Sequence, residues 1–237
     1  MNGWAPVTTA GVIAMENLHA HIDGLTWQAA RGNLTSDGWG DLVELTALRG
    51  HVLGRIDDAE HAAWLAEAFV ERAPRYPRSF LARARMAAEF HRFSAALAEL
   101  ETAAALGLDG RTLDDERATI YQAVRRYDKA LEIHRRALSK CADFRALSGR
   151  ARYHAELGEM VRAEKWFLAA KRAYRGVNPF PLALLEFQCG LKWLTQADLV
   201  RARIWLELAT RRLPGYVPAQ DHLAKIEAAQ RMTGRTT

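Results

Sequence analysis

The chain has 237 residues, with 33 Lys and Arg against 28 Asp and Glu, a formal charge of +5 and a pI near 9.4. Half of it is hydrophobic and 26% is charged, a soluble globular composition that supplies a core for one extended domain or two small ones. No stretch reaches the roughly 18 apolar residues that a membrane-crossing helix needs, which argues against a membrane protein.

Alanine is abundant, while glycine (16) and proline (7) are sparse. Alanine is the cheapest residue to place in a helix and proline the most costly, so the chain reads as all-helical. The positive charge permits an acidic partner without requiring one, because much of the arginine stands beside Glu or Asp and reads as solvated helix surface. Cys141 and Cys189 are far apart and match no zinc or redox spacing. A reducing, cytoplasmic location is the simplest fit.

In chain order, the first 18 residues, MNGWAPVTTAGVIAMENL, carry neither a basic leader nor a long apolar run, so they do not read as a signal peptide. Next comes MENLHAHIDGLTW, where His19, His21 and Asp23 spell a pattern that resembles the His-x-His opening of many metal hydrolases. Met15, Leu18, Ile22, Leu25 and Ala29 step by three and four, which predicts an amphipathic helix over this segment. On a helix, residues two apart point about 200° apart, so His19 and His21 cannot share one metal. The pair shares a face only on a strand. The other histidines are scattered singly, and no His-Glu-x-x-His occurs.

From residue 40 onward a period emerges. FSAALAELETAA (93–104), YDKALEIHRRAL (127–138), MVRAEKWFLAAK (160–171) and LVRARIWLELATR (199–211) align on Ala96, Ala130, Ala163 and Ala202, at spacings of 34, 33 and 39. Twelve residues before each stands Ala84, Ala118, Ala151 or Gly190, and seven after stands Ala103, Ala137, Ala170 or Ala209. A weaker fifth unit fits upstream on Ala47, Ala59 and Ala66. Small residues at these intervals let two antiparallel helices approach closely and let the next pair stack on them. The final segment, Pro218 to Met232, carries Ala224 in the first-helix place and reads as a terminal helix covering the last face. Its tail, RMTGRTT, is expected to fray.

The period near 34, two helices per unit, the small–small–small spacing and the Y-x-x-A-L string at Tyr127–Leu131 resemble tetratricopeptide repeats, over about Gly40 to Met232. Pro74 and Pro214 fall where that family places its closing proline. The family's tryptophan–leucine–glycine signature is blurred in every unit. Pentatricopeptide-type RNA readers have a similar period but fit the alanine pattern less well. The resemblance implies a right-handed α-solenoid of stacked antiparallel hairpins. The expected layout is an N-terminal segment with a capping helix (1–39), about five hairpins (40–216) and a C-terminal capping helix with tail (217–237).

The resemblance further implies a binding groove lined by the first helix of each unit. Helical periodicity from the small residue selects Arg78, Leu81 and Arg85, then Asp115, Thr119 and Gln122, then Arg145, Ser148 and Arg152. The last unit supplies Leu184, Phe187, Leu191 and Leu194 from PLALLEFQCGLKWL (181–194), a helix that reads as apolar nearly all round. The arginines suit an acidic segment through bidentate hydrogen bonds, or they pair with Glu89 and Glu156 along their own helices. The leucines and Phe187 suit an apolar anchor, a homodimer contact, or coverage by the terminal helix.

No phosphate-binding loop or nucleophile elbow is present. The pairs Asp57–Asp58 and Asp114–Asp115 are expected at helix starts or turns, where they cap and complement the helix dipole. The sequence therefore points to a non-catalytic scaffold or adaptor for a protein or peptide, with no metal and no cofactor. The alternatives are a nucleic-acid-binding helical repeat and a peptide- or substrate-binding accessory or sensor protein.

Overall fold

A computed structural model of the protein describes residues 6–233, with side chains through residue 231. Among the described residues the secondary structure is helical throughout. It comprises α1 (Gly11–Ala30), α2 (Ser36–Leu53), α3 (Ile56–Arg72), α4 (Pro77–Glu89), α5 (Phe93–Ala105), α6 (Gly110–Ala123), α7 (Tyr127–Lys140), α8 (Phe144–Glu156), α9 (Met160–Ala173), α10 (Phe180–Thr195), α11 (Leu199–Arg212) and α12 (Val217–Thr233). The fold is all-α and of the helical-repeat type. Most of the tail expected to fray lies outside the described residues.

The chain forms two compact units. The N-terminal unit comprises Glu16–His51 and Arg55–Arg136, and the C-terminal unit comprises Ala137–Thr237 with Met1–Met15 and Val52–Gly54. In the N-terminal unit, α4 packs on α3 and α5, and α5 on α6. In the C-terminal unit, α8 pairs with α9 and α10 with α11, while α9 packs on α10 and α11 on α12. The first residues of α1 also belong to the C-terminal unit: the Gly11 backbone lies against the Arg212 carbonyl, Leu213 and Pro214, so no side chain fits there.

The small residues lie at the hairpin contacts. Ala96, Ala130, Ala163 and Ala202 are fully buried, as are Ala118, Ala151, Ala103, Ala170 and Ala209. At Gly190 even a methyl group would come 2.8 Å from Leu206 Cγ, so this first helix approaches the second more closely than alanine allows. Larger residues fill the space around the small ones: Leu81, Leu100, Leu113 and Ile120 form one cluster with Phe80, Phe93 and Leu97 packed against it. Leu81 is thus a core residue rather than a groove residue. The first hairpin departs from the expected pattern. Its close approach is made by Gly50, not Ala47: a Cβ there would lie 2.9 Å from Asp58 Cβ and 3.2 Å from the Ala59 nitrogen.

A second regularity lies in the turns. Each turn within a hairpin holds one residue at positive φ: Gly54 (63°), His91 (57°), Arg125 (60°), Gly158 (75°) and Ala197 (58°). Each stands five residues before the small residue of the second helix, Ala59, Ala96, Ala130, Ala163 and Ala202. Three of the five carry a Cβ that this conformation disfavours. Helix starts are set by Asp109, Asp143 and Asp198, whose carboxylates accept from the backbone N–H of Thr112, Ala146 and Arg201. Asp57 and Asp58 sit in the first turn of α3, but α3 has no side-chain cap, and Asp58 pairs with Arg49 of α2 instead. Asp114 and Asp115 do not start α6, which begins four residues earlier because Asp109 supplies the cap.

Two stability outcomes follow. Ala130→Leu forces a larger side chain into a fully closed contact and should cost about 1–3 kcal/mol; an unchanged melting temperature would refute the pairing. Ala197→Gly removes only an exposed methyl and relieves the left-handed backbone, so it should raise stability by up to about 1 kcal/mol, whereas Gly158→Ala should lower it. Thermal melts of both variants beside the wild type read the two signs directly.

Candidate functional site

In the N-terminal unit, Asp37, Asp41 and Glu44 step by four and three along α2, which places them on one face. They meet the two arginines of α4. Arg78 Nη1 donates to Asp37 at 2.8 Å and its Nη2 to Asp41 at 2.9 Å. Arg85 bridges two helices, with Nη1 2.6 Å from Glu44 on α2 and Nε 2.7 Å from Glu116 on α6. Tyr76 adds its hydroxyl to Asp37 at 2.6 Å. The result is an ion-pair ladder across the first helices of three successive hairpins.

Burial pulls the Arg78 pKa down, but its hydrogen bonds with Asp41 and Asp37 outweigh that and hold it above the usual arginine value. Arg85 is likewise raised: burial lowers it, and Glu116 and Glu44 more than compensate. The Tyr76 hydroxyl, followed by Arg78, holds the Asp37 carboxyl below its usual value. Asp37, Asp41 and Glu44 remain open to water, with 68%, 46% and 41% of their side-chain surface exposed. Four carboxylates therefore surround two arginines, and the exposed edge of the ladder is acidic.

The pairing differs from the one considered for Arg85, because its partners lie on neighbouring helices rather than at Glu89 along α4. Thr119 is exposed on α6 and turns its hydroxyl back to the Asp115 carbonyl. Gln122 does not line a groove. It is buried, and its amide nitrogen lies 2.8 Å from His134 Nε2, inside the α6–α7 hairpin.

In the C-terminal unit, Arg145 is exposed and Arg152 half-buried on α8. Ser148 is buried and donates to the Phe144 carbonyl at 2.6 Å, so its hydroxyl is used within its own helix. Glu156, the expected helix partner of Arg152, receives Lys192 of α10 at 2.6 Å. On α10, Leu184, Leu191 and Leu194 are half-buried. Phe187 is buried and packs on Tyr216 at 4.7 Å and on His222 of α12 at 6.0 Å. Coverage by the terminal helix is thus what the chain adopts for Phe187, which removes the centre of the expected apolar surface.

The reading of α10 as apolar nearly all round also passes over Glu186. Its side chain is 0% exposed and accepts from Arg212 Nε and Nη2, both at 2.9 Å, while Lys171 Nζ lies 2.7 Å away. Arg212 reaches further, to the Thr8 hydroxyl at 3.4 Å, and the Thr9 N–H donates to the Val177 carbonyl at 2.8 Å. A second, half-buried link uses Glu164, which accepts from the indole N–H groups of Trp193 and Trp205.

His19, His21 and Asp23 are exposed positions of α1, whose buried stripe is Ala14, Met15, Leu18, Ile22 and Leu25. Among the described residues no group of three or more His, Cys, Asp or Glu is placed to hold a metal ion. No helix among them is long and apolar enough to cross a membrane.

No protein-family profile matches the sequence, and neither does any curated protein. Solved structures do match the fold. A tetratricopeptide repeat protein from Parabacteroides merdae superposes with a TM-score of 0.68 at 14% identity, over 90% of this chain and 79% of that one. The Cut9–Hcn1 hetero-tetramer of APC/C matches with a TM-score of 0.62 at 14% identity, over 92% of this chain and 41% of that one. The human IFIT1 dimer with PPP-AAAA matches with a TM-score of 0.60 at 17% identity, over 85% of this chain and 48% of that one. The fold is that of tetratricopeptide-repeat proteins, in a divergent array.

Glu186→Ala would leave Lys171 and Arg212 without their buried carboxylate and should destabilise the protein by about 3–5 kcal/mol. Removing the exposed Arg162–Glu159 pair of α9 by Arg162→Ala should cost less than about 1 kcal/mol. Equal losses in denaturant unfolding would contradict the burial of the Glu186 centre.

Proposed function

We propose that the protein is a non-catalytic scaffold that binds a protein or peptide on the first-helix faces of its repeats, and that it works without a metal or cofactor. The observation that carries this reading is the ladder of α2, α4 and α6. Its ion pairs hold charged side chains in fixed places while leaving their outer atoms exposed. A partner then meets groups that are already ordered, and association loses little side-chain entropy on this side. The candidate contacts are Arg78, Arg85 and Thr119 in the N-terminal unit, with Asp37, Asp41 and Glu44 added. In the C-terminal unit they are Arg145, Arg152, Leu184, Leu191 and Leu194. A homodimer through 181–194 would use the same three leucines. In this reading α12 serves as a cap on α11.

The Cut9–Hcn1 assembly, in which a similar fold joins another protein, supports the reading. The human structure with PPP-AAAA supports a nucleic-acid alternative for the fold. That alternative fits the ladder poorly, because four carboxylates beside two arginines repel a phosphate backbone. A cytoplasmic setting is part of the proposal, and the two cysteines, present as free thiols, support it.

The test is affinity capture from native lysate, with and without nuclease. Wild type is run beside Asp41→Ala/Glu44→Ala and beside Leu191→Glu. We expect a nuclease-resistant partner that at least one folded variant loses. Partners that vanish on nuclease treatment would favour the nucleic-acid reading. A partner retained by both variants would move the site off the first-helix faces, and an empty capture would end the scaffold reading.

A further inference from the structure

Charge is distributed very unevenly along this chain. The C-terminal unit holds seventeen Lys and Arg against nine Asp and Glu, a net +8, and the N-terminal unit holds sixteen against nineteen, a net −3. The overall +5 therefore conceals two halves of opposite sign. Such asymmetry marks the basic half as the one suited to an acidic partner.

The excess is concentrated at one edge of the C-terminal unit. Segments 171–175 and 208–212, at the ends of α9 and α11, hold Lys171, Arg172, Arg175, Arg211 and Arg212 and no acid. The two helix ends are linked through α10, because the Lys171 and Arg212 head groups meet on the single carboxylate of Glu186 at 2.7 and 2.9 Å. Those two cations are nearly enclosed, with 12% and 10% of their side-chain surface exposed. Arg172, Arg175 and Arg211, on the same two segments, are exposed. Arg175 is held in place by bonds from Nη1 to the Arg172 carbonyl at 2.6 Å and the Tyr174 carbonyl at 3.1 Å. Arg211 Nε donates to the Glu207 carbonyl at 3.2 Å.

Compensation of helix dipoles explains only part of this. Each helix C-terminus carries about half a negative charge, so two helix ends offset about one cation. Five cations stand here against two carboxylates, Glu186 and, one turn before Arg211, Glu207. The remainder is a preset positive surface with planar guanidinium groups suited to carboxylates.

We infer that the α9–α11 edge, through Arg172, Arg175 and Arg211 with the Lys171–Glu186–Arg212 centre, is the docking surface for an Asp/Glu-rich protein segment. The inference rests on the scaffold reading and names its partner chemistry. It also moves acidic-ligand recognition away from Arg78 and Arg85, whose charge is already taken up by α2 and α6.

The test titrates the full chain with fluorescein-labelled decaglutamate, decalysine and a ten-nucleotide oligothymidylate, read by fluorescence anisotropy. Decaglutamate should bind, and Arg172→Glu/Arg211→Glu should weaken it by at least about tenfold. Lys165→Glu/Lys225→Glu makes the same change in net charge on exposed residues elsewhere in the unit and should weaken it by less than about threefold. Arg172→Ala/Arg211→Ala repeats the test without added carboxylates if the reversal disturbs folding. Equal loss in the edge and control variants would overturn the site and leave only diffuse charge. Tighter binding of the oligonucleotide than of decaglutamate would overturn the partner class and count against the scaffold reading as well. Binding of decalysine alone, or of no probe, would overturn the inference while leaving the scaffold reading to the lysate capture.

Discussion

Close approach of paired helices at small residues is the constraint on which the rest of this structure depends. Ala96, Ala130, Ala163 and Ala202 have no exposed surface, and each closes the first turn of a second helix onto the helix before it. With that distance fixed, the larger residues on either side fill the space between the helices, as Leu81, Leu100, Leu113 and Ile120 do around Ala84, Ala96 and Ala103. The turn geometry follows from the same spacing. A positive-φ residue five positions before each contact reverses the chain sharply enough for the second helix to begin at once. The repeat tolerates His91, Arg125 and Ala197 there because hairpin packing outweighs the local backbone cost.

Stacked in this way, the helices leave few places where charge can be deeply buried, and the two units use charge differently. In the N-terminal unit, Arg78 and Arg85 tie three first helices together at a surface that water still reaches, so their pairs fix positions more than they add stability. In the C-terminal unit, Glu186 is wholly enclosed and satisfied by two cations. Its removal matters because the partners would remain behind, desolvated and unpaired. That same centre joins the ends of α9 and α11 and lies within reach of Thr8, from the start of the chain.

Much of the fold was legible in the sequence because periodicity reports burial directly. The 34-residue step, the alanines of the second helices and the prolines after α3 and α11 all reflect local helix geometry and pairwise approach. The first hairpin was legible only in part. Ala47 fits the spacing, but α2 makes its contact one turn further on, at Gly50, and in an alanine-rich chain the spacing alone does not distinguish the two. The site was less legible. Arg78 and Arg85 were identifiable by position, whereas their partners Asp37, Asp41, Glu44 and Glu116 lie on other helices. The regular step of the α2 carboxylates was the available signal. Gln122 and Ser148 fit the groove by periodicity and were drawn inward, because a side-chain amide facing His134 and a hydroxyl facing its own helix satisfy buried polar atoms.

The sequence by itself determined the helical class, the repeat length and the small contact residues, and it determined the strong bias of charge toward the last 101 residues. These depend on neighbours three, four or thirty-four positions apart, whose relation a regular helix or repeat sets in advance. Only the tertiary structure decided which charges cancel. Glu186 reads as one polar residue in an apolar helix until Lys171 and Arg212 close on it, and Phe187 reads as a groove residue until Tyr216 and α12 cover it. Coulomb attraction and desolvation act through space, between residues whose separation along the chain carries no fixed meaning.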